Sequence, residues 1–410
     1  MAAPADTRRS HLCRSEFIRT FVLNRNPETS MKNTLALVLY ASFLLLALRV
    51  QAADIAIDNA IENVITRADA ALAQHRASGD DADLEPAETL LRAALAQAPD
   101  DYRAQRSAVA LLLARREDQT ALTRAITLNA RFPDDVDTWA LLIDAELALG
   151  RYNDAERDTQ RLLDLRPDNL PGLVRAAQLR ELYGDWQGAI DFVTASLNRV
   201  TEDQYEMRAA RYTQLARLQF GAGQGAVAEQ ALTAALAAWP AYLPALAEGA
   251  RQARLRGDVT QALQRAQAAY RARPGVTEQL MLARATAAAG QAVVAAPMLR
   301  EFAARALASA DVDDHAKLAL SSYYAFEGQD AARAVSFAAS ARAQRADVET
   351  VLAYATALHR AGRDDEARAP VRALAKLGWR DTEYLALSAA LHAPAPAANG
   401  AAKDVPCVAQ

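Results

Sequence analysis

The stretch VDTWALLIDAELALGRYNDAERDTQRLLDLRPDN, residues 136–169, decides the fold of this chain. Its first half places side chains at helical spacing, so that one helix face would carry Trp139, Leu142, Ile143 and Glu146. Gly150 follows, at a point where a left-handed residue can end the helix. A second stripe consists of Ala155, Thr159 and Leu162, before Pro167 stops the second helix. The stretch therefore predicts two helices joined by a short turn.

The same markers recur every 34 residues along the chain. Prolines keep this step at Pro99, Pro133 and Pro167, and again at Pro240 and Pro274. Glycines keep it in the pairs Gly150 and Gly184, Gly223 and Gly257, and Gly328 and Gly362. A fixed period of this length predicts stacked supersecondary units, none of which can bury its apolar face alone.

Aligning the chain on these markers gives about nine units. They are 68–101, 102–135, 136–169, 168–201, 209–242, 243–275, 276–309, 314–347 and 348–381. Two units depart from the pattern. In the unit around Gly328, Arg333 occupies the position where the others have a small alanine. The unit after Gly290 lacks the closing proline, so its second helix is expected to run long.

This pattern resembles the tetratricopeptide repeat (TPR). The shared features are a large residue early in the first helix, the turn glycine, an aromatic residue two positions later, a small alanine and a closing proline. In the clearest unit these are Trp139, Gly150, Tyr152, Ala155 and Pro167. The alternative is an alanine-rich solenoid of another family, but HEAT-type repeats have a longer period.

The resemblance implies an all-α fold. The expected architecture is a right-handed α–α superhelix of about nine helix–turn–helix repeats over residues 53–392. Residues 382–392 read as one more amphipathic helix, which would cap the apolar face of the last repeat.

Residues 31–52 have the pattern of a secretory signal peptide. Met31 and Lys32 give a basic start, residues 35–48 are apolar, and Val50-Gln51-Ala52 supplies small residues at a cleavage site. The apolar run is shorter than the roughly 20 residues that span a bilayer, which predicts cleavage and a periplasmic protein with no permanent membrane span.

The two ends of the chain stand apart from the repeats. Residues 1–30 are interpreted as a non-native extension from an upstream start codon, with Met31 as the true start; an organellar presequence is the rival interpretation. Residues 393–410 form an Ala/Pro tail that is expected to be disordered. Cys407 in this tail is read as a free thiol without a role, or else as an intermolecular cross-link.

The net charge of the chain and its sequence motifs argue against several classes of function. Removal of residues 1–52 leaves 39 basic and 47 acidic residues, a net charge of −8. Such an acidic body is not expected to bind nucleic acid or anionic lipid surfaces. No metal-ligand spacing, phosphate-binding loop or nucleophile elbow is present in the sequence, so no cofactor, metal or catalytic residue is predicted.

The TPR resemblance implies a concave groove lined by the first helices. Arginine occupies the ninth position of three successive first helices and the twelfth position of the middle one, which gives Arg217, Arg251, Arg284 and Arg254. Arginine binds carboxylate or phosphate through two parallel hydrogen bonds. The alternative is a structural role, in which these arginines pair with Glu248 or Glu278. The asparagine and lysine pattern of the family's carboxylate clamp is absent.

The sequence thus predicts a non-catalytic periplasmic scaffold that binds a partner protein or peptide, acidic in character, in its groove. The alternative is a scaffold for exopolysaccharide export or assembly beside an outer-membrane pore, where the same arginines would guide an anionic polysaccharide. An enzyme with an unrecognised site is a third and weaker class.

Overall fold

The computed structural model describes residues 40, 42, 58–78, 81–309 and 314–391. The predicted segments 1–30 and 393–410, including Cys407, lie outside the described residues, and so does the signal segment 31–52 apart from residues 40 and 42. The chain divides into two units, 1–64 and 65–410. In the first unit, residues 58–64 are helical. The second unit contains the repeats.

The described part of the chain is helical throughout, with short connections. Its α-helices are α1 (58–78), α2 (Leu84–Gln97), α3 (Tyr102–Ala114), α4 (Asp118–Arg131), α5 (Val136–Ala148), α6 (Tyr152–Leu165), α7 (Leu170–Leu182), α8 (Trp186–Leu197), α9 (Tyr205–Gly221), α10 (Gly225–Ala238), α11 (Leu243–Leu255), α12 (Val259–Ala272), α13 (Val276–Ala288), α14 (Ala292–Ser309), α15 (Asp314–Phe326), α16 (Ala331–Gln344), α17 (Val348–Arg360), α18 (Asp364–Leu377) and α19 (Thr382–Ala390).

These helices form nine successive pairs, from α1–α2 to α17–α18, followed by α19. The all-α fold, the superhelix of about nine repeats and the terminal helix are therefore confirmed. The second helix after Gly290, α14, has 18 residues, so the expectation of a long helix there is also confirmed. Among the described residues, no helix combines the length and apolar character that a membrane crossing requires.

Aspartate or asparagine caps the first helix of four repeats and the terminal helix α19. The Asp101 side chain accepts a hydrogen bond of 2.7 Å from the backbone N–H of Ala104, and the Asp135 side chain accepts one of 2.8 Å from Thr138. Equivalent N-caps are Asn169, Asp347 and Asp381. Each satisfies a backbone N–H that the helix leaves without a partner. In the second, third and fourth repeats the capping residue follows the repeat proline by two positions and fixes where the first helix begins. The residues before α9, α11 and α13 make no such side-chain hydrogen bond.

A left-handed residue and a buried alanine organise the turn between the two helices of a repeat. In six repeats the left-handed residue is glycine, with φ between 70° and 77°: Gly150, Gly184, Gly223, Gly257, Gly290 and Gly362. Five residues later comes an alanine that is at most 4% exposed: Ala155, Ala189, Ala228, Ala262, Ala295 and Ala367. The missing side chain bulk lets the second helix pack closely on the first.

The repeat around Gly328 obeys this rule with a shift of one residue. Gln329, with φ 47°, is the left-handed residue, and Ala334, five positions later, is fully buried. The interpretation of Gly328 as the turn residue and of Arg333 in place of the small alanine is therefore wrong. Arg333 instead lies over the Tyr324 ring at 4.6 Å. One extra residue in the α15–α16 connection moves both features together.

The predicted core stripe of the clearest repeat is buried along its whole length. Trp139, Leu142 and Ile143 are at most 6% exposed, and the side chain of Glu146 is buried beside them. Burial, together with the nearby carboxylates of Asp158 and Asp154, raises the pKa of Glu146 to about 8. Glu146 therefore carries a proton at neutral pH, which lets an acidic residue occupy a core position.

The superhelix stacks on itself after roughly one turn. A Cβ added to Gly150 would lie 2.6 Å from the carbonyl oxygen of Ala346, and one added to Gly184 would lie 2.3 Å from that of Gly378. Nearby, Arg345 pairs with the buried Asp118 at 3.6 Å across the same contact. Turns of the second, third and fourth repeats thus pack against the connections on either side of the last repeat.

Apolar contacts reinforce this stacking. Tyr152 and Leu182, from the third and fourth repeats, pack against the C-terminal core cluster that contains Val348, Tyr384 and Leu387. These residues are about 200 positions apart in the chain. The contact joins two edges of the solenoid that sequential stacking of repeats would leave apart.

We predict that Gly150→Ala destabilises the protein more than Gly223→Ala. Both glycines have φ above 70°, so each substitution carries backbone strain of about 1 kcal/mol. No atom lies within 4 Å of a Cβ at Gly223, whereas a Cβ at Gly150 would push against Ala346. Urea unfolding followed by circular dichroism should show an additional loss of about 2 kcal/mol for Gly150→Ala. Equal unfolding midpoints would show that the stacking contact contributes nothing.

Candidate functional site

A cavity of about 1140 Å³ lies on the inner side of the later repeats. Its wall comes mainly from the first helices α9, α11, α13, α15 and α17 and from the terminal helix α19. Tyr152 and Leu182 also line it, so the stacking contact helps to enclose it. Much of the wall is apolar, as shown by Leu280, Met281, Leu352, Ala353 and Leu387. The groove implied by the sequence is thus a partly enclosed chamber.

The four arginines predicted for the groove all line this cavity: Arg217, Arg251, Arg254 and Arg284. Their periodic spacing brings them together because equivalent positions of stacked repeats lie on one face. The structure thus places all four side chains in the wall of the same cavity. It adds that every one of the four faces a carboxylate.

The carboxylate partners come from several different helices. Arg217 forms an ion pair with Glu181 of α7. Arg284 donates two hydrogen bonds of 2.8 Å to Glu327 and one of 3.0 Å to the Ser322 hydroxyl. The alternative of structural pairing thus holds in part. Glu278, which it also named, pairs instead with Arg273 at 2.8 Å.

Arg251 and Arg254 share a partner on the terminal helix. Arg251 lies 3.4 Å from Glu248 and 3.8 Å from Glu383, while Arg254 donates a 2.9 Å hydrogen bond to Glu383. Burial lowers the pKa of Arg251, but Glu248 and Glu383 outweigh it and the pKa is raised overall. The bridge from α11 to α19 spans about 130 residues of chain. It links α11 to α19, the helix that forms one wall of the cavity.

The pairs differ in how deeply they are buried. The side chain of Glu181 is 5% exposed, and burial raises its pKa although Arg217 opposes the shift. Glu383, by contrast, is 47% exposed. A buried carboxylate needs its arginine, because an unpaired buried charge is strongly destabilising. An exposed pair is worth little and can exchange partners.

Sequence reasoning missed two residues on the same wall. Phe326 ends α15 and Arg360 ends α17, each at the thirteenth position of its first helix. The Arg360 guanidinium lies 4.3 Å from the centre of the Phe326 ring, and Arg284 lies 5.8 Å from it. The groove arginines predicted from the sequence occupy the ninth and twelfth positions. Including the thirteenth would have found this neighbouring pair.

The cavity wall also contains a histidine side chain. His359 lines the wall, and its Nδ1 lies 2.8 Å from Asp364. Within the described ranges, no group of three or more His, Cys, Asp or Glu side chains is placed to hold a metal ion. Guanidinium groups beside an apolar wall can bind an oxyanion attached to an apolar group.

No family model and no curated protein matches this chain. Among solved structures, it is similar to the APC/C hetero-tetramer Cut9–Hcn1 (TM-score 0.46, 16% identity, 67% of this chain and 52% of that chain). It is also similar to PilW, a widely conserved type IV pilus biogenesis factor (TM-score 0.43, 16% identity, 50% of this chain and 92% of that chain). A third similar structure is the human IFIT1 dimer with PPP-AAAA (TM-score 0.45, 14% identity, 76% of this chain and 79% of that chain).

The alignment spans about half of the Cut9–Hcn1 chain. All three similarities are weak in both sequence and structure, and they do not indicate a function for this chain.

We predict that Arg217→Ala destabilises the protein by about 2 kcal/mol, because it leaves the buried Glu181 without its partner. Adding Glu181→Gln to this variant should recover most of the lost stability, since the buried carboxylate charge is then removed. The matched control is Arg372→Ala, an exposed arginine of α18, which should change stability by less than about 0.5 kcal/mol. Chemical unfolding of the four proteins measures this. A double variant no more stable than Arg217→Ala would contradict the assignment.

Proposed function

We propose that this protein is an exported, non-catalytic TPR scaffold that holds a segment of a partner protein in the arginine-lined cavity. The observation that carries the proposal is the convergence of Arg217, Arg251, Arg254 and Arg284 on one chamber with an apolar wall. A site of this kind recognises both charge and apolar surface. It suits an acidic segment that also carries apolar side chains.

The size and rigidity of the cavity support a peptide segment as the occupant. Its volume of about 1140 Å³ lies above the usual range of about 300–1,000 Å³ for small-molecule pockets. Its walls are helices held by repeat stacking and by the contact between Gly150 and Ala346. A pre-formed site binds with less loss of conformational entropy.

The ion pairs suggest how an acidic partner enters. The exposed Glu383 can release Arg254 to a partner carboxylate, because one exposed carboxylate then replaces another. The buried Glu181 keeps Arg217 in place at the same time. Arg254 would therefore bind the partner, whereas Arg217 would mainly support the wall.

Export rests on the sequence pattern of residues 31–52. We propose that the chain starts at Met31, that cleavage follows Ala52 and that the mature protein works in a bacterial periplasm.

We predict that the full chain, expressed in a bacterial host from its own start, yields a periplasmic protein whose first residue is Ala53. N-terminal sequencing and intact mass of the osmotic-shock fraction measure this. A chain that retains residues 31–52 in the membrane fraction would contradict cleavage.

Filling the cavity should block partner binding. Ala353 lines the cavity, so Ala353→Trp places a large side chain within it. The matched control is Ala296→Trp, at an exposed position of α14 outside the cavity wall. Capture from an envelope extract should recover a protein with the parent and with Ala296→Trp but not with Ala353→Trp. Measured affinity for that purified protein should fall at least about tenfold, or 1.4 kcal/mol.

Three outcomes would contradict this function. Equal capture by Ala353→Trp would place binding elsewhere. Recovery of an anionic polysaccharide through the cavity would favour the export scaffold. Specific retention of RNA, lost on nuclease treatment and with Ala353→Trp, would overturn the expectation that the protein does not bind nucleic acid.

A further inference from the structure

Among the described residues, one arginine of the cavity has no neighbouring carboxylate to balance its charge. Six arginines line it: Arg217, Arg251, Arg254, Arg284, Arg345 and Arg360. Arg345 pairs with Asp347 at 2.5 Å, and the four from the groove prediction have the partners given above. Within the described part of the chain, Arg360 has no carboxylate partner.

Arg360 lies over an aromatic ring at the surface of the cavity. Its guanidinium carbon lies over the Phe326 ring, 4.3 Å from the ring centre, and Arg360 is exposed. Stacking on an aromatic face uses the flat side of the guanidinium, while its N–H groups point outward in the plane. Those N–H groups form a fork that matches the two oxygens of a carboxylate.

Phe326 presents exposed apolar surface beside the Arg360 guanidinium. It is 46% exposed although it is a large hydrophobic side chain in a cavity wall. Arg284 approaches the same ring at 5.8 Å and is itself fixed by Glu327 and Ser322. Phe326 therefore presents apolar surface to the cavity at the point where Arg360 presents positive charge.

We propose that Arg360, stacked on Phe326, is the anchor of the cavity and that it binds a carboxylate of an acidic protein segment whose adjacent apolar side chain packs on Phe326. This inference rests on the proposed function and names the residue that selects the partner. Binding at Arg360 displaces no ion pair between described residues, in contrast to binding at Arg251 or Arg254.

The charge of the lining favours a protein segment over a polyanion. Besides the arginines, the wall carries several carboxylates: Glu248, Asp347, Glu349, Asp381 and Glu383. A polyuronate or an RNA strand carries a negative charge on every unit, and these charges would be repelled by the carboxylates of the wall. Among the described residues, Arg360 alone of the lining arginines is free of a carboxylate partner and could offset that repulsion. A segment with isolated carboxylates between apolar residues matches one cation and an apolar wall.

The test uses the full chain and two fluorescein-labelled octapeptides, one alternating Leu and Glu and the other alternating Leu and Gln. Fluorescence anisotropy should show that the Glu peptide binds more tightly than the Gln peptide and that salt weakens its binding. Arg360→Gln should reduce affinity for the Glu peptide about tenfold, because a charge-assisted hydrogen bond is lost. Arg360→Lys should retain part of the affinity, since lysine keeps the charge without the fork.

The matched control is Arg372→Gln, which removes the same charge from an exposed position of α18 outside the cavity lining. It should bind the Glu peptide as the parent does. Phe326→Leu should weaken binding of both peptides, since both use the apolar platform. Circular dichroism and unfolding midpoints confirm that each variant is folded.

The outcomes separate this inference from the proposed function. If Ala353→Trp blocks binding while Arg360→Gln and Arg372→Gln bind alike, the anchor assignment is wrong and the cavity function stands. If the parent binds the Glu peptide no better than the Gln peptide, carboxylate recognition is wrong. If a polyuronate or single-stranded RNA binds through Arg360 more tightly than the peptide, the partner class is wrong. If the parent binds neither peptide at millimolar concentration and Ala353→Trp leaves partner capture unchanged, both proposals fail.

Discussion

The contact between early and late repeats is the constraint on which the rest of the structure depends. Gly150 lies so close to Ala346, and Gly184 to Gly378, that no side chain fits between them. A solenoid built from neighbour contacts alone would leave its groove open along one side. Here the second turn of the superhelix rests on the first, and the groove becomes a cavity with fixed walls. The two glycines therefore serve the local turn and the tertiary closure at once.

Closure also changes what the groove arginines do. On an open concave face, Arg254 would lack Glu383, and Arg251 would keep only Glu248 of its own helix. Because α19 folds across the cavity, Glu383 meets both of them and neutralises much of their charge. Closure of the superhelix thus changes which arginines are available to bind a partner. It leaves charge available at Arg360, where the local partner is an aromatic ring.

Sequence reasoning succeeded where a feature depends on local periodicity and failed where it depends on counting across an irregular turn. The pairing of two helices in each repeat and the long α14 follow from residues within one unit. The turn at Gly328 was misread because one extra residue shifts the left-handed position to Gln329 and the small residue to Ala334. The α-helix tolerates Arg333 at the expected alanine position because that side chain lies over Tyr324 and not in the helix interface.

The sequence by itself determined the helical repeats, their number and the placement of Arg217, Arg251, Arg254 and Arg284 on one inner face. Helical spacing and a constant 34-residue step fix those properties through contacts between near neighbours in the chain. Only the tertiary structure decided which charges remain unpaired, since Glu383 reaches Arg254 across about 130 residues. It also decided that the groove is enclosed. Small rotations between repeats add up over a whole turn, and no single repeat encodes where the edges meet.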